Sequence, residues 1–194
     1  SDIHPAQTFA LVKDSKVLKN IFRTRMAMLE NTYGMYTYSL VLKPDTLPYF
    51  NHNKFVYEGG SVWDEETAKV VLSCRVPEDG SDYATLLDLL TPCGGDPMAL
   101  AERVIPGLRD MVSEQYVSTP HTWERFTHTP NGSAYGIRKD CRQPLLTMLS
   151  PRTPFDNLLL TGQNVMLHGL EGVAMTACQA YNIIRYKHLD NSMI

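Results

Sequence analysis

Apolar and polar positions alternate most cleanly between residues 35 and 43. Tyr36, Tyr38, Leu40 and Leu42 interleave there with Thr37, Ser39 and Val41. A period of two in β-forming residues predicts a strand with one covered face. Further strands are predicted at 55–58, broken by Gly59-Gly60, at 69–75 around Val70, Val71 and Leu72, and at 116–119. Residues 83–90 read as strand or helix, and close bracketing by turn residues favours strand. Helical spacing joins Leu18, Ile21, Phe22, Met26 and Leu29 behind a cap at Asp14 or Ser15. A second helix opens at Asp96-Pro97 and continues through Leu100, Val104, Leu108 and Met111. Pro106 inside that run implies a kink or a second helix. Single helical turns are expected around Trp63 to Glu66 and from Pro120 to Phe126. Asn131-Gly132 marks a turn, and Pro144, Pro151 and Pro154 make 144–156 an irregular crossing segment. The first 13 residues carry no clear pattern.

The most informative stretch is 157–177, NLLLTGQNVMLHGLEGVAMTA. Leu158, Leu159 and Leu160 form an apolar run too short for a helix, and it reads as a buried strand. Gly162, Gly169 and Gly172 punctuate the residues after it. From Leu170 the spacing turns helical through Val173, Ala174, Ala177, Tyr181 and Ile184, to about His188. Arg185, Lys187 and His188 suit the negative end of that helix dipole. A strand feeding a helix through glycines either packs one on the other or aims free N–H groups at an anionic or oxygen-rich ligand. Spacing alone leaves both readings open.

Composition narrows the class. In 194 residues, 43% are hydrophobic and 20% charged, which describes a globular chain with a real core. A net charge of −3 offers no basic excess for phosphates, so no nucleic-acid partner is expected. No apolar run reaches a membrane span. The opening residues lack the pattern of a secretory signal, and a cytoplasmic location is the expectation. Cys74, Cys93, Cys141 and Cys178 are scattered without a CxxC pair, which argues against a zinc site or a disulfide scaffold.

Catalytic patterns are sparse. His121 and His128, with Glu124 between them, lack metalloprotease spacing, and no metal is expected. Ser133 in NGSAYG is not a nucleophile elbow. Cys178 reads as a packing residue of the last helix. His168 reads as a structural, hydrogen-bonded residue or a member of a site. No acid–base dyad stands out. There is neither a P-loop nor a GxGxxG fingerprint. Aromatic residues concentrate in the first third (Tyr33, Tyr36, Tyr38, Tyr49, Phe50, Phe55, Tyr57), as a sheet core or the lining of an apolar ligand pocket.

The ordered segments TPHTWERFT, NGSAYG and PRTPFDNLLLTGQ, followed by NVMLHGLEGVAMTA, carry a resemblance. They resemble the carboxyl-terminal end of the FAD-dependent phytoene desaturase, carotenoid isomerase and retinol saturase family, flavoproteins of the amine-oxidase-like superfamily. The helix ending near VIPGLRDMV fits the same pattern, and the likeness is most specific over 96–185. It implies that Gly162 and Gln163 lie near the ribityl and phosphate region of FAD. It places His168, Gly169, Leu170 and Gly172 near the isoalloxazine, where the helix dipole would stabilise negative charge. Many relatives carry an acidic residue where Gln163 stands, and Gln can still hydrogen-bond a hydroxyl.

The expected fold class is α+β: an antiparallel or mixed sheet covered by helices, plus a terminal strand–loop–helix belonging to an FAD-binding domain. By the resemblance, residues 1–150 form a substrate-domain-like region and 151–194 a returning FAD-contacting segment. The chain then lacks the amino-terminal dinucleotide-binding half, its implied partner. FAD is not expected to stay with the chain alone, and the isolated chain is expected to be inactive. The implied substrate is an apolar isoprenoid, carotenoid or retinoid-like molecule. An alternative is a non-enzymatic apolar-ligand or interaction module. The edge of the 158–160 strand needs cover, which predicts self-association or a refolded tail. Peripheral membrane contact is a further open expectation.

Overall fold

A computed structural model describes residues 1–12, 16–59, 61, 68–92 and 95–191. The cap expected at Asp14 or Ser15 and the helical turn at Trp63 to Glu66 lie outside the described residues. The chain divides into two compact units, one of Ser1–Tyr33 with Trp123–Ile194, the other of Gly34–Thr122.

The Gly34–Thr122 unit is an antiparallel sheet in the order β2-β3-β4-β1-β5. Its strands are β1 (Tyr36–Leu42), β2 (Lys54–Tyr57), β3 (Lys69–Cys74), β4 (Leu86–Thr91) and β5 (Val112–Ser118). The class is α+β, as the strand and helix patterns indicate. Alternation sends Leu40 and Leu42, Val70 and Leu72, and Leu87 and Leu89 to one buried face. Ser39 and Asp88 meet on the other face, where the Ser39 hydroxyl donates to Asp88 Oδ1 at 2.6 Å and Arg75 Nε lies 2.9 Å from Oδ2. The buried face packs on α3 (Pro97–Glu102), which contributes Met98, Leu100 and Ala101 to the core. Asp96 caps that helix, its Oδ1 accepting from Met98 N at 3.1 Å and Ala99 N at 3.2 Å. Pro106 marks a true break. Gly107 at φ +74° starts a separate helix, α4 (Leu108–Met111).

Two sheet expectations need correction. β5 begins four residues earlier than the predicted strand and presents an almost wholly exposed run, so hydrophobic alternation could not find it. The aromatic-rich first third lines neither a core nor a pocket throughout. Phe50 and Tyr38 pack against the core, whereas Phe55 and Tyr57 point to solvent.

The other unit holds α1 (Pro5–Ala10), α2 (Asn20–Met28), the short α6 (Pro144–Thr147) and the long α7 (Gly169–Asn191). Between the units' sequence segments runs α5 (Pro120–Thr127), as expected. No periodicity marks α1 in the sequence. His4 caps it through Nδ1, which accepts from Ala6 N at 3.2 Å, and Pro5 occupies its first turn. α2 is shorter than the 14–31 stretch. The core here gathers Phe9, Leu18, Met26, Ile137, Leu149, Leu160 and Val165, with Phe22 edge-on to Phe9 at 5.0 Å. Residues 30–33 run antiparallel to 134–138, tied by Thr32 N to Gly136 O at 2.8 Å and Arg138 N to Glu30 O at 2.8 Å.

The strand predicted at 158–160 does not form. Leu159 makes one isolated bridge to Arg152, and Leu160 N donates to Pro151 O at 2.8 Å. On the other side the Ser1 amine donates to Leu159 O at 2.7 Å, and Thr161 N donates to Ser1 O at 2.8 Å. One side offers only Pro151 and Arg152 and the other only Ser1, too little to propagate a ladder.

Candidate functional site

The glycine loop and the start of α7 come together as a pinned turn. Gly162 sits at φ +85°, and its carbonyl accepts from Val165 N at 3.2 Å. A Cβ there would lie 3.4 Å from the Asp2 Cβ, so this glycine fits the close approach of residues 1–2. Gln163 is half-buried, and no described residue takes its amide in a hydrogen bond. Asn164 is buried, and its Oδ1 accepts from Ile137 N at 3.0 Å. His168 completes the arrangement. Its Nε2–H donates to Ile137 O at 2.8 Å, because a carbonyl can only accept. Both main-chain groups of Ile137 are therefore held by side chains of the loop.

NGSAYG gains a physical reading from this. Asn131, Gly132 and Gly136 all have positive φ. A Cβ on Gly136 would fall 2.0 Å from Asn164 Oδ1, so a side chain at 136 would displace the Asn164–Ile137 bond. Tyr135 stacks on His168, with ring centroids 5.6 Å apart and planes 24° from parallel.

Two of the predicted glycines at α7 have opposite roles. A Cβ at Gly172 would meet Leu167 O at 2.4 Å, so Gly172 lets the helix turn close on the loop before it. The buried Thr176 continues that inner face, donating to Gly172 O at 2.9 Å. Gly169, at φ +78°, has nothing within 4 Å of its Cβ position. The first-turn N–H groups of a long helix lack intrahelical acceptors and favour negative charge, and at Gly169 the approach to them is open. Leu170 beside it is 90% exposed, and Val173, Tyr181 and Ile184 extend the same outward stripe. Cys178, read from sequence as a packing residue, is exposed as well.

Behind the loop Lys139 is half-buried and donates from Nζ to Asn164 O at 2.8 Å, Thr147 O at 3.1 Å and Val165 O at 3.3 Å. Burial pulls its pKa down to about 8. His4 is lowered too, by burial first; its bond to Asn31 opposes this, and the charge of Lys139 adds to it. Ser133 Oγ is buried with no partner in the structure. Among the described residues no group of three or more His, Cys, Asp or Glu side chains is placed to hold a metal ion.

Sequence reasoning missed Asn164, Ile137 and Lys139. Asn164 had one faint signal, a polar residue between a glycine and an apolar run. Ile137 and Lys139 act across 25 residues or more of sequence, which no local pattern reports.

Over 117 residues, 59% of its length, the chain is 27% identical to the all-trans-retinol 13,14-reductase of Macaca fascicularis. Over the same length it is 26% identical to the all-trans-retinol 13,14-reductase of Homo sapiens. The chain is distantly similar to all-trans-retinol 13,14-reductases. The match spans 19% of those relatives' own length. It supports the retinol saturase side of the resemblance. No protein-family profile matches the chain. No described helix is long and apolar enough to cross a membrane.

The loop offers features that fit an FAD edge. Gly169 leaves room over the helix start, Gln163 has an unengaged amide, and His168 is held in one orientation by Ile137 and Tyr135. Gly162 and Gly172 answer to packing within the chain and serve by shaping the loop.

Proposed function

We propose that this chain is the carboxyl-terminal portion of an FAD-dependent oxidoreductase acting on a carbon–carbon bond of an apolar, retinoid-like or other isoprenoid substrate. The observation that carries this reading is the 117-residue similarity to all-trans-retinol 13,14-reductases. Residues 1–150 serve as the substrate-domain-like region and 151–194 as the cofactor-contacting segment. FAD, when bound, supplies the hydride chemistry, and the protein supplies position and polarity. The α7 first turn, from Gly169 through Leu170 to Gly172, presents N–H groups to developing negative charge. Gln163 hydrogen-bonds a ligand hydroxyl. His168 keeps its Nε2 proton on Ile137 O and so acts as a positioning residue. The outward stripe of α7 meets an amino-terminal dinucleotide-binding half, without which the chain is inactive.

The test is flavin retention. The purified chain, mixed with FAD and desalted, is expected to keep no stoichiometric flavin. With a GxGxxG-containing half of a similar reductase supplied in trans, the assembly is expected to carry a flavin spectrum. Gly169→Val is expected to weaken that retention. Stoichiometric flavin on the chain alone would overturn the half-site reading, and absence of flavin from a demonstrably assembled pair would overturn the FAD reading.

A further inference from the structure

We propose that the outer edge of β5 is a self-association site whose occupant is β5 of a second copy of this chain. β5 pairs with β1 on one side, and among the described residues no strand pairs with it on the other. Ser113, Glu114, Gln115, Tyr116 and Val117 are all exposed. Free edges are commonly blunted by shortness, proline, bulges or charge. This strand is seven residues long, without proline and with Glu114 as its one charged residue. Its register irregularity lies at its beginning, opposite Val41 and Leu42.

The strand VSEQYVS is nearly self-complementary when run antiparallel about Gln115. In that pairing Gln115 opposes Gln115 of the second copy, Glu114 opposes Tyr116, and Ser113 opposes Val117, on both sides of a two-fold axis. The polar match is already prefigured within one chain, where the Tyr116 hydroxyl donates to Glu114 Oε2 at 2.6 Å. Pairing brings each carboxylate beside a second tyrosine hydroxyl. A slip of two residues one way sets Glu114 against Glu114, and like charges directly opposed are destabilising; the other way it leaves Glu114 opposite Ser118 and loses the tyrosine match. A slip of one turns the covered faces of the two sheets to opposite sides. The register centred on Gln115 avoids all of these. It also continues the face on which Tyr38 aligns with Val117 and Leu40 with Gln115. One strand edge buries less than the ~800 Å² per partner of a standard interface, so the dimer is weak and concentration-dependent.

Sedimentation velocity of the full 194-residue chain over rising concentration tests this. The mass is expected to climb toward twice the monomer. Gln115→Lys and Gln115→Glu each place like charges on the axis and should weaken association on the order of tenfold. Gln115 is exposed, so far-UV circular dichroism should not change. An equimolar mixture of the two variants should restore association. A monomer at every concentration, wild-type association in both single variants, or a mixture no tighter than its components would each overturn the proposal. No residue of α7 or the glycine loop takes part, so its failure leaves the flavin reading untouched.

Discussion

The two units hold themselves together by different means. The Gly34–Thr122 unit buries aliphatic side chains from β1, β3 and β4 against α3, so its stability comes from removing apolar area from water. The other unit has a smaller core and depends more on side chains that satisfy main-chain groups. Asn164 and His168 hold Ile137, Lys139 reaches Thr147, Asn164 and Val165, and Arg23 donates to Phe9 O and Val12 O. Its longest helix meanwhile turns an apolar stripe outward. The sheet unit rests on buried apolar area, and the other unit rests more on polar side chains committed to main-chain groups around its loop.

The sharpest way to break this comparison is a cavity in the sheet. Leu87 is fully buried on β4, the central strand of the sheet, and Leu87→Ala is expected to cost about 2–5 kcal/mol in urea unfolding. Hydrogen exchange should show the loss concentrated in 34–122. Next comes Gly172→Ala, where the new methyl meets the Leu167 carbonyl and only backbone movement can relieve it. About 1–3 kcal/mol is expected, read as faster exchange in the first turns of α7. Asn164→Ala leaves Ile137 N without its acceptor, at about 1–2 kcal/mol. Equal effects in both units for that change would contradict the contrast between them.

A subtler effect belongs to Lys139. Its folded pKa of about 8 lies below the ordinary 10.5. Between those values the unfolded chain holds a proton that the folded chain has released, so this group's contribution to stability rises with pH through that window. Below about pH 8 the folded state carries the buried charge at a cost. Lys139→Met should therefore flatten the pH dependence of stability above pH 8 relative to wild type, measured by chemical unfolding at each pH. The smallest expected effect is Leu170→Ala, within ~0.5 kcal/mol for the chain by itself because the side chain is already in water.

Legibility divided along the same line. β1, the capped start of α3 and the break at Pro106 could be read locally because alternation, an Asp cap and a proline each act within a few residues, whereas β4 was told from a helix only by the turn residues that bracket it. β5 was clipped because an exposed edge has no buried positions to report. The 158–160 strand failed for the opposite reason: its apolar run was clear, but whether a run becomes a strand depends on partners, and Ser1, Pro151 and Arg152 beside it are too few. In the candidate site the glycines were visible, but their division of labour was not. Gly172 is explained by a carbonyl five residues back, Gly162 by Asp2 at the far end of the sequence, and Gly169 by empty space.

The grip on Ile137 has one more consequence. Both bonds end on main-chain atoms, so nothing in them depends on which side chain residue 137 carries beyond its apolar fit in the core. Apolar residues close to isoleucine in volume at 137 therefore keep both bonds, whereas no change at Asn164 or His168 that removes the bonding atom does. A mutational scan should find Val, Leu and Met tolerated at 137 and substitutions at 164 and 168 tolerated less.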